Sequence, residues 1–304
     1  MIYLVDGSTH MEFVDLHLPS SDYQLGTIDD VVKYCSTKTV LGVDTETEGL
    51  DFTCKKMIML QIGDNEKQFV IDTRIVDIEP LRKVLENNTI TKIFHNAKFD
   101  YKFIKKWSNI SCENVYDTFL TERVLNCGKD NYGYGLKDVC KRYLNVDINK
   151  DVRNQFIGLS GQPFTTPQII YGAKDVEYLI KIRTHQLPNI DKNRLNNTVK
   201  LENDAVLAFA DIEYNGLSLD VEKWSKLEDI NSKNADTLGE SLDNMIRDDH
   251  RVKHFVSTYV QTDMFTPVEE IRDIDIKWTS PKQVLAVFNC LVPELDNVNG
   301  KQMY

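Results

Sequence analysis

The strongest constraint on the fold is a change in the spacing of apolar residues between residues 39 and 107. Three short apolar segments come first and have the character of strands: 39–45, 56–63 and 68–72. Turn-like residues separate them, so this part of the chain predicts an antiparallel meander with one buried face. Helix-like and strand-like segments then alternate: 78–86, 91–94 and 98–107. Such alternation indicates an α/β fold, in which helices pack on a sheet.

The later part of the first 200 residues predicts helices. They cover three segments: 117–126, 136–144 and a long helix that begins at Thr166 and Pro167. A stretch with one proline and several asparagines follows the long helix, and these residues favour loops over regular structure. We therefore place a domain boundary there and expect two domains, 1–190 and 198–304.

Composition excludes several classes of protein. Hydrophobic residues make up 41% of the chain and charged residues 27%, as in soluble globular proteins. No apolar run approaches the roughly 18 to 20 residues of a membrane span, and the start lacks a basic signal segment. We therefore expect a cytoplasmic protein with no membrane partner. The six cysteines form no CxxC pair, which argues against structural zinc and against a disulfide framework.

The net charge of −11 disfavours a protein that grips duplex DNA through many phosphate contacts. It is compatible with a protein that handles a few nucleotides at a strand end, where metal ions supply the positive charge. The simpler interpretation is that the charge keeps the chain soluble.

Two carboxylates lie at the end of the first strand of the predicted meander. Asp44 and Glu46 are two positions apart, so both side chains point to one face of the strand. Asp100 follows the strand at 91–94 and lies early in the next helix, after Asn96. Acids at strand ends are most often solvated, and Asn96 is an ordinary helix cap. The functional alternative is that these acids meet at the carboxyl ends of the strands, a frequent location of sites in α/β proteins.

A tyrosine and an aspartate on the long helix complete the pattern. Tyr171 and Asp175 are four positions apart and therefore share one helix face. Four converging acids (Asp44, Glu46, Asp100 and Asp175) would repel each other unless divalent cations lay between them. Two such cations held by carboxylates are a common device for cleaving phosphodiesters. Asp117 lies outside this quartet, and we expect it to have a structural role.

In this order the motifs resemble those of the DEDD superfamily of 3′–5′ exonucleases, in its tyrosine-bearing branch. The three shared motifs are a D-x-E at Asp44, an N-x(2–3)-[F/Y]-D that ends at Asp100, and a Y-x3-D that ends at Asp175. The histidine-bearing branch would have histidine where this chain has Ile170. The resemblance implies a ribonuclease H-like fold, which is a mixed sheet with helices on its faces.

The resemblance also implies roles for individual residues. Asp44, Glu46 and Asp175 would hold one Mg²⁺ or Mn²⁺, and Asp44 with Asp100 would hold a second. Tyr171 and Glu46 would orient the attacking water. Two residues would contact the terminal nucleotide: Leu50, as a wedge against the base, and Asn96. Four lysines could meet backbone phosphates, although lysines on a helix usually serve solvation: Lys98, Lys102, Lys105 and Lys106.

The region after residue 200 resembles the opening of a family A DNA polymerase domain. The similar segments are 207–220 and 278–285. This predicts a mainly helical, partial thumb region without the palm or fingers. On this basis we expect a proofreading 3′–5′ exodeoxyribonuclease of phage or bacterial type. Its substrate would be a single-stranded DNA 3′ end or primer terminus, and a separate polymerase chain could be its partner.

Two alternatives stay open at this point. The first is an RNA 3′ exonuclease similar to ribonuclease D, which shares the tyrosine-type motifs. The second is a non-catalytic module that docks a polymerase or holds a DNA end. An intact quartet of acids disfavours the second alternative, because a scaffold has no use for converging carboxylates.

Overall fold

A seven-stranded mixed sheet forms the centre of the first part of the chain. The strands are β1 (Ile2–Val5), β2 (Gln24–Leu25), β3 (Val40–Thr47), β4 (Met57–Gly63), β5 (Gln68–Asp72), β6 (Thr91–Phe94) and β7 (Val115–Asp117). Their order in the sheet is β2-β1-β5-β4-β3-β6-β7. Only β4 runs against its neighbours, because its pairs with β3 and β5 are antiparallel and the other pairs are parallel. The carboxyl ends of β3, β6 and β7 therefore lie at one edge.

The structure is a computed structural model, and it describes residues 1–7, 21–129, 132–148, 152, 155–159, 161–261 and 269–292. The chain divides into two units, Met1–Gly216 and Leu217–Tyr304. The predicted meander is confirmed as β3-β4-β5. Sequence reasoning identified the four-residue β6 between two predicted helices, but it did not identify the short strands β1, β2 and β7.

Helices cover both faces of this sheet. They are α1 (Ile28–Cys35), α2 (Arg82–Leu85, after a 3₁₀ turn at Glu79–Leu81), α3 (Ala97–Ser108), α4 (Thr118–Leu125), α5 (Leu136–Leu144), α6 (Thr166–Lys192) and α7 (Asn196–Asn215). Every residue of β4 is buried, as expected for a strand that is covered on both faces. Leu60 packs in a core with Val31 of α1 and Ile104 of α3, and Met59 packs in a second core with Ile169 of α6. The predicted α/β architecture is thus confirmed.

Helix α7 belongs to the first unit. Its residues Val206 and Ala210 lie in the core that α1 and α3 share, and Asp211 accepts a hydrogen bond from the Tyr101 hydroxyl at 2.9 Å. The division of the chain therefore falls after Gly216, whereas the sequence places a boundary between 190 and 198. A second stripe of α7, which contains Leu201, Phe209 and Ile212, is exposed.

The second unit combines helices with a small sheet. Its elements are α8 (Val221–Ile246), a 3₁₀ turn (His250–Phe255), β8 (Val256–Gln261), antiparallel β9 (Glu269–Ile274) and α9 (Pro281–Leu291). Its core contains Ile246, Val252 and Val287. Helices α8 and α9 agree with the predicted helical character of this region. The two-stranded sheet was not predicted. Across both units, the described part of the chain contains no helix with the length and apolar character needed to cross a membrane.

Candidate active site

Strand β3 brings two of the predicted acids to the centre of the sheet. It lies between β4 and β6, and regular pairing with β4 holds as far as Glu46, where the register shifts. Asp44 and Glu46 share one face of β3, as predicted, because side chains alternate along a strand. Glu46 is buried and Asp44 is half-buried. The carboxylates thus lie where the strand leaves the sheet.

Two glycines allow α6 to approach the sheet closely. A Cβ atom on Gly42 of β3 would lie 2.7 Å from the Val176 carbonyl oxygen of α6. A Cβ atom on Gly172 of α6 would lie 2.7 Å from Gln61 Nε2. Neither position has room for a larger side chain, so α6 rests directly on the strands. Gly42 is two residues from Asp44 and Val176 follows Asp175, so this close contact brings the acids of the two elements together.

Three of the predicted acids converge. Asp44, Glu46 and Asp175 each offer a carboxylate oxygen, and these oxygens lie within 4.8 Å of one another. Asp100 lies outside this group of three. It nevertheless lines the same cavity, which has a volume of about 400 Å³ and also includes Tyr171. The donor set consists of carboxylate oxygens, which is what hard divalent cations such as Mg²⁺ and Mn²⁺ prefer.

Asp100 is positioned by the strand that carries the other acids. Its Oδ1 accepts hydrogen bonds from the Thr45 backbone N–H at 3.1 Å and from the Thr45 hydroxyl at 2.6 Å. Burial, and then the charge of Asp44, raise the pKa of the Asp100 carboxyl well above its ordinary value, although the bonds from Thr45 oppose this. A cation between Asp44 and Asp100 would remove the repulsion that raises this pKa.

Leu50 and Asn96, the two predicted nucleotide contacts, both line the cavity. Leu50 has 81% of its surface exposed, so it projects at the rim. Asn96 precedes α3 in a left-handed conformation with φ 72°, and its side chain makes no capping hydrogen bond. The interpretation of Asn96 as a side-chain cap for α3 is therefore wrong.

Asp117 supplies the missing cap. One carboxylate oxygen accepts from the Asn96 N–H at 3.0 Å, and the other accepts from the Ala97 N–H at 2.8 Å. The first oxygen also accepts from the N–H groups of Phe119 and Leu120 at the start of α4. One buried acid thus caps two helices and fixes the end of β6. This agrees with the structural role predicted for Asp117.

The cavity contains residues that the sequence did not single out. They are Thr45, His95, Phe99, Phe119, Gly135, Leu136, Lys137, Asp138 and Ile148. The His95 ring stands edge-on to the Phe119 ring at 5.6 Å, and its Nδ1 lies 2.9 Å from the Thr118 hydroxyl. The start of α5 forms the opposite part of the wall. No spacing rule links α5 to β3, and only the position of His95 next to Asn96 gave a signal.

Three of the four lysines suggested as phosphate contacts pair with acids of α7, and the fourth, Lys106, is exposed. Lys98 and Lys102 both pair with Glu213 of α7, at 2.5 and 2.6 Å. Lys105 pairs with Asp211 of α7 at 2.5 Å. These pairs attach α3 to α7.

A fully buried glutamate holds α5 against α4 and α6. The Glu122 carboxylate accepts hydrogen bonds at 2.9 to 3.0 Å from five side chains: Asn126, Tyr132, Arg142, Tyr143 and Gln186. Arg142 and Tyr143 lie on α5, and Gln186 lies on α6. The network therefore fixes the helix whose first residues line the cavity.

Comparison with known proteins shows which family the chain belongs to. A model of the 3′-5′ exonuclease family matches residues 23–190, more than half of the chain. Exosome complex component 10 of Homo sapiens is 30% identical over 178 residues, which are 57% of this chain and 19% of that protein. Ribonuclease D of Pseudomonas paraeruginosa is 26% identical over 148 residues, which are 48% of this chain and 38% of that protein. The matching part thus spans well under half of either relative.

The fold has solved counterparts. The structure of Brucella melitensis NrnC with bound Mg²⁺ has a TM-score of 0.54 and 20% identity, and the match covers 71% of this chain and 93% of NrnC. At this identity the likeness concerns the fold, and it agrees with the predicted ribonuclease H-like architecture. These relatives are not DNA polymerases, so they give no support to the predicted polymerase region at 198–304 or to a polymerase partner. The match to residues 23–190, together with the DEDD motifs, shows that the chain belongs to the 3′-5′ exonuclease family.

Proposed function

We propose that this protein is a metal-dependent 3′–5′ exoribonuclease that releases nucleoside 5′-monophosphates from RNA 3′ ends. The observation that carries the proposal is the convergence of Asp44, Glu46 and Asp175 within 4.8 Å, in one cavity with Asp100 and Tyr171. Buried carboxylates this close to one another are costly unless cations neutralise them. The same arrangement is what hydrolysis of a phosphodiester requires.

The carboxylates divide between two cation positions. Asp44, Glu46 and Asp175 would hold one Mg²⁺ or Mn²⁺, and Asp44 with Asp100 would hold the second. Bound cations would supply an activated water at neutral pH and stabilise the departing 3′-oxygen. The presence of Mg²⁺ in NrnC, which has a similar fold, supports this choice of metal.

Other residues of the cavity act on the substrate. Tyr171 lies one helical turn before Asp175, and its hydroxyl would orient the attacking water together with Glu46. Leu50 projects at the rim, where an apolar side chain can wedge against the terminal base. The Asn96 amide, which is not used as a helix cap, would contact the terminal nucleotide.

RNA is the preferred substrate in this proposal. The two curated relatives are named as a ribonuclease and as a component of the exosome complex. The prediction of DNA proofreading depended on a resemblance of residues 198–304 to a polymerase, and the relatives give that resemblance no support. Both activities use the same carboxylates, so only a direct comparison of substrates separates them.

The test is degradation of matched RNA and DNA oligonucleotides labelled at the 5′ end. With Mn²⁺ or Mg²⁺ we expect a ladder of RNA products shortened from the 3′ end, and EDTA should abolish it. Faster degradation of the DNA strand would support the proofreading alternative and reject the RNA preference. Absence of any degradation, together with no binding of Mn²⁺ in calorimetry, would favour a non-catalytic docking module.

A further inference from the structure

The cavity that would receive the substrate is strongly negative. Five acids line it: Asp44, Glu46, Asp100, Asp138 and Asp175. A nucleic acid adds one negative charge for every phosphate. Two divalent cations would not fully neutralise five carboxylates, so a strand that enters the cavity needs a further positive group.

One side chain meets this need. Lys137 is the single lysine or arginine among the described residues that line the cavity. Three lysines of α3 cannot take this role without loss, because Lys98 and Lys102 pair with Glu213 and Lys105 pairs with Asp211. The fourth, Lys106, does not line the cavity. Those pairs also attach α3 to α7, so breaking them would weaken the contact between the two helices.

The position of Lys137 is fixed by the fold. It is the second residue of α5, and the Glu122 network holds that helix through Arg142 and Tyr143. The amino end of a helix carries partial positive charge, which adds to that of the lysine. Because the helix is held in place, the backbone of Lys137 has a fixed position in the cavity wall.

The Lys137 side chain can exchange its present partner, Asp147, for a phosphate. Its Nζ lies 3.1 Å from Asp147 Oδ1, and the two side chains are 44% and 65% exposed. Exposed ion pairs of this kind contribute little to stability, so a phosphate can replace Asp147 at small cost. The exposure also places Lys137 at the rim, away from the buried carboxylates of Asp100 and Asp175.

We propose that Lys137 binds the backbone phosphate next to the one that is cleaved, in a strand whose 3′ end lies among the carboxylates. This inference deepens the proposed function and depends on it. A group at the rim contacts the strand equally before and during the reaction. Its loss should therefore raise KM and leave kcat nearly unchanged.

The experiment compares Lys137→Gln with Lys141→Gln in the full chain, on a short oligoadenylate with Mn²⁺. Lys141 lies one turn further along α5, is exposed and does not line the cavity, so it controls for the change in charge. We expect Lys137→Gln to raise KM about tenfold, as for one lost charged hydrogen bond. The slope of log(kcat/KM) against log salt should become shallower by about 0.7, the value for one phosphate contact on a single strand.

A second substrate tests which phosphate is bound. An uncharged methylphosphonate at the linkage next to the cleaved one should raise KM for the wild type and for Lys141→Gln. It should have little further effect on Lys137→Gln, because the two changes remove the same contact. Additive effects would overturn the assignment, as would equal salt slopes for the wild type and Lys137→Gln. An inactive wild type would instead reject the proposed function.

Discussion

Glu122 and the cluster of Asp44, Glu46 and Asp175 lie within the first unit and differ in the groups that surround their carboxylates. Glu122 accepts hydrogen bonds from five side chains, one of them the Arg142 guanidinium. Asp44, Glu46 and Asp175 instead approach one another within 4.8 Å. Helix α6 contributes to both groups, through Gln186 to the first and Asp175 to the second. A buried acid surrounded by donors stabilises the fold, whereas acids that face each other form a site for cations.

The largest effect is expected when one of the facing acids is removed. Asp44→Ala should lower kcat by about 10³-fold or more, as for loss of a group that stabilises charge in the transition state. Its free energy of unfolding without metal should change by less than about 1 kcal/mol, because the substitution also removes repulsion with Asp100. Denaturing gels of 5′-labelled RNA and urea denaturation would measure the two quantities.

The matched control for Asp44→Ala is Glu202→Ala, which removes an exposed acid on α7. We expect wild-type activity and stability for this control. Near wild-type activity of Asp44→Ala would show that the facing carboxylates do not form the site.

Substitution of Glu122, the acid surrounded by donors, should have the opposite result and lower the stability of the protein. Glu122→Ala removes the acceptor of the buried Gln186 amide and of the half-buried hydroxyls of Tyr132 and Tyr143. A buried donor that loses its acceptor costs about 1–3 kcal/mol, whereas the partly exposed Arg142 can turn to water. We expect a corresponding fall in the urea midpoint, with the slope of the transition unchanged. A midpoint equal to that of Glu202→Ala would contradict a structural role for Glu122.

The facing acids were predictable because regular spacing reports local geometry. Two residues along a strand, or four along a helix, place Asp44 with Glu46 and Tyr171 with Asp175. The order of these motifs, which resembles that of the DEDD exonucleases, then indicated that the strand face and the helix face meet in one site. Local spacing does not show how close the elements come, and here the close approach depends on Gly42 and Gly172, which sequence reasoning did not single out.

The surroundings of Glu122 could not be predicted in this way. Its partners come from four segments between residues 126 and 186, and all pairings except that with Asn126, one turn further on, depend on tertiary packing. Asp117 presented the same difficulty, since a cap for α3 comes from a residue twenty positions beyond it. The side of α7 that packs inward was also unpredictable, because both its stripes contain apolar residues.

A smaller effect is expected for the tyrosine beside the facing acids. Tyr171→Phe keeps the ring and removes the hydroxyl, so kcat should fall by about 10–100-fold while Mn²⁺ affinity stays the same. Tyr178→Phe is the matched control, because Tyr178 lies on α6 but does not line the cavity. Loss of Mn²⁺ binding in calorimetry would contradict a role limited to orienting water.

The last effect is a gradual change of stability with pH and concerns a buried base, which extends the comparison to the opposite charge. Lys92 is fully buried in β6, and its Nζ donates to the Asn87 carbonyl oxygen at 2.6 Å. Burial lowers the pKa of Lys92 to about 8. Between this value and the unfolded pKa of about 10.4, the unfolded chain binds more protons, so stability rises with pH.

The slope from Lys92 is at most about 1.4 kcal/mol per pH unit. Lys92→Met should remove this slope from the pH dependence of urea unfolding between pH 8 and 10, whereas the exposed Lys83→Met should retain it. An unchanged slope in Lys92→Met would mean that the Asn87 carbonyl stabilises the ammonium group enough to offset its burial. A single acceptor would then hold a buried charge as effectively as the five donors around Glu122.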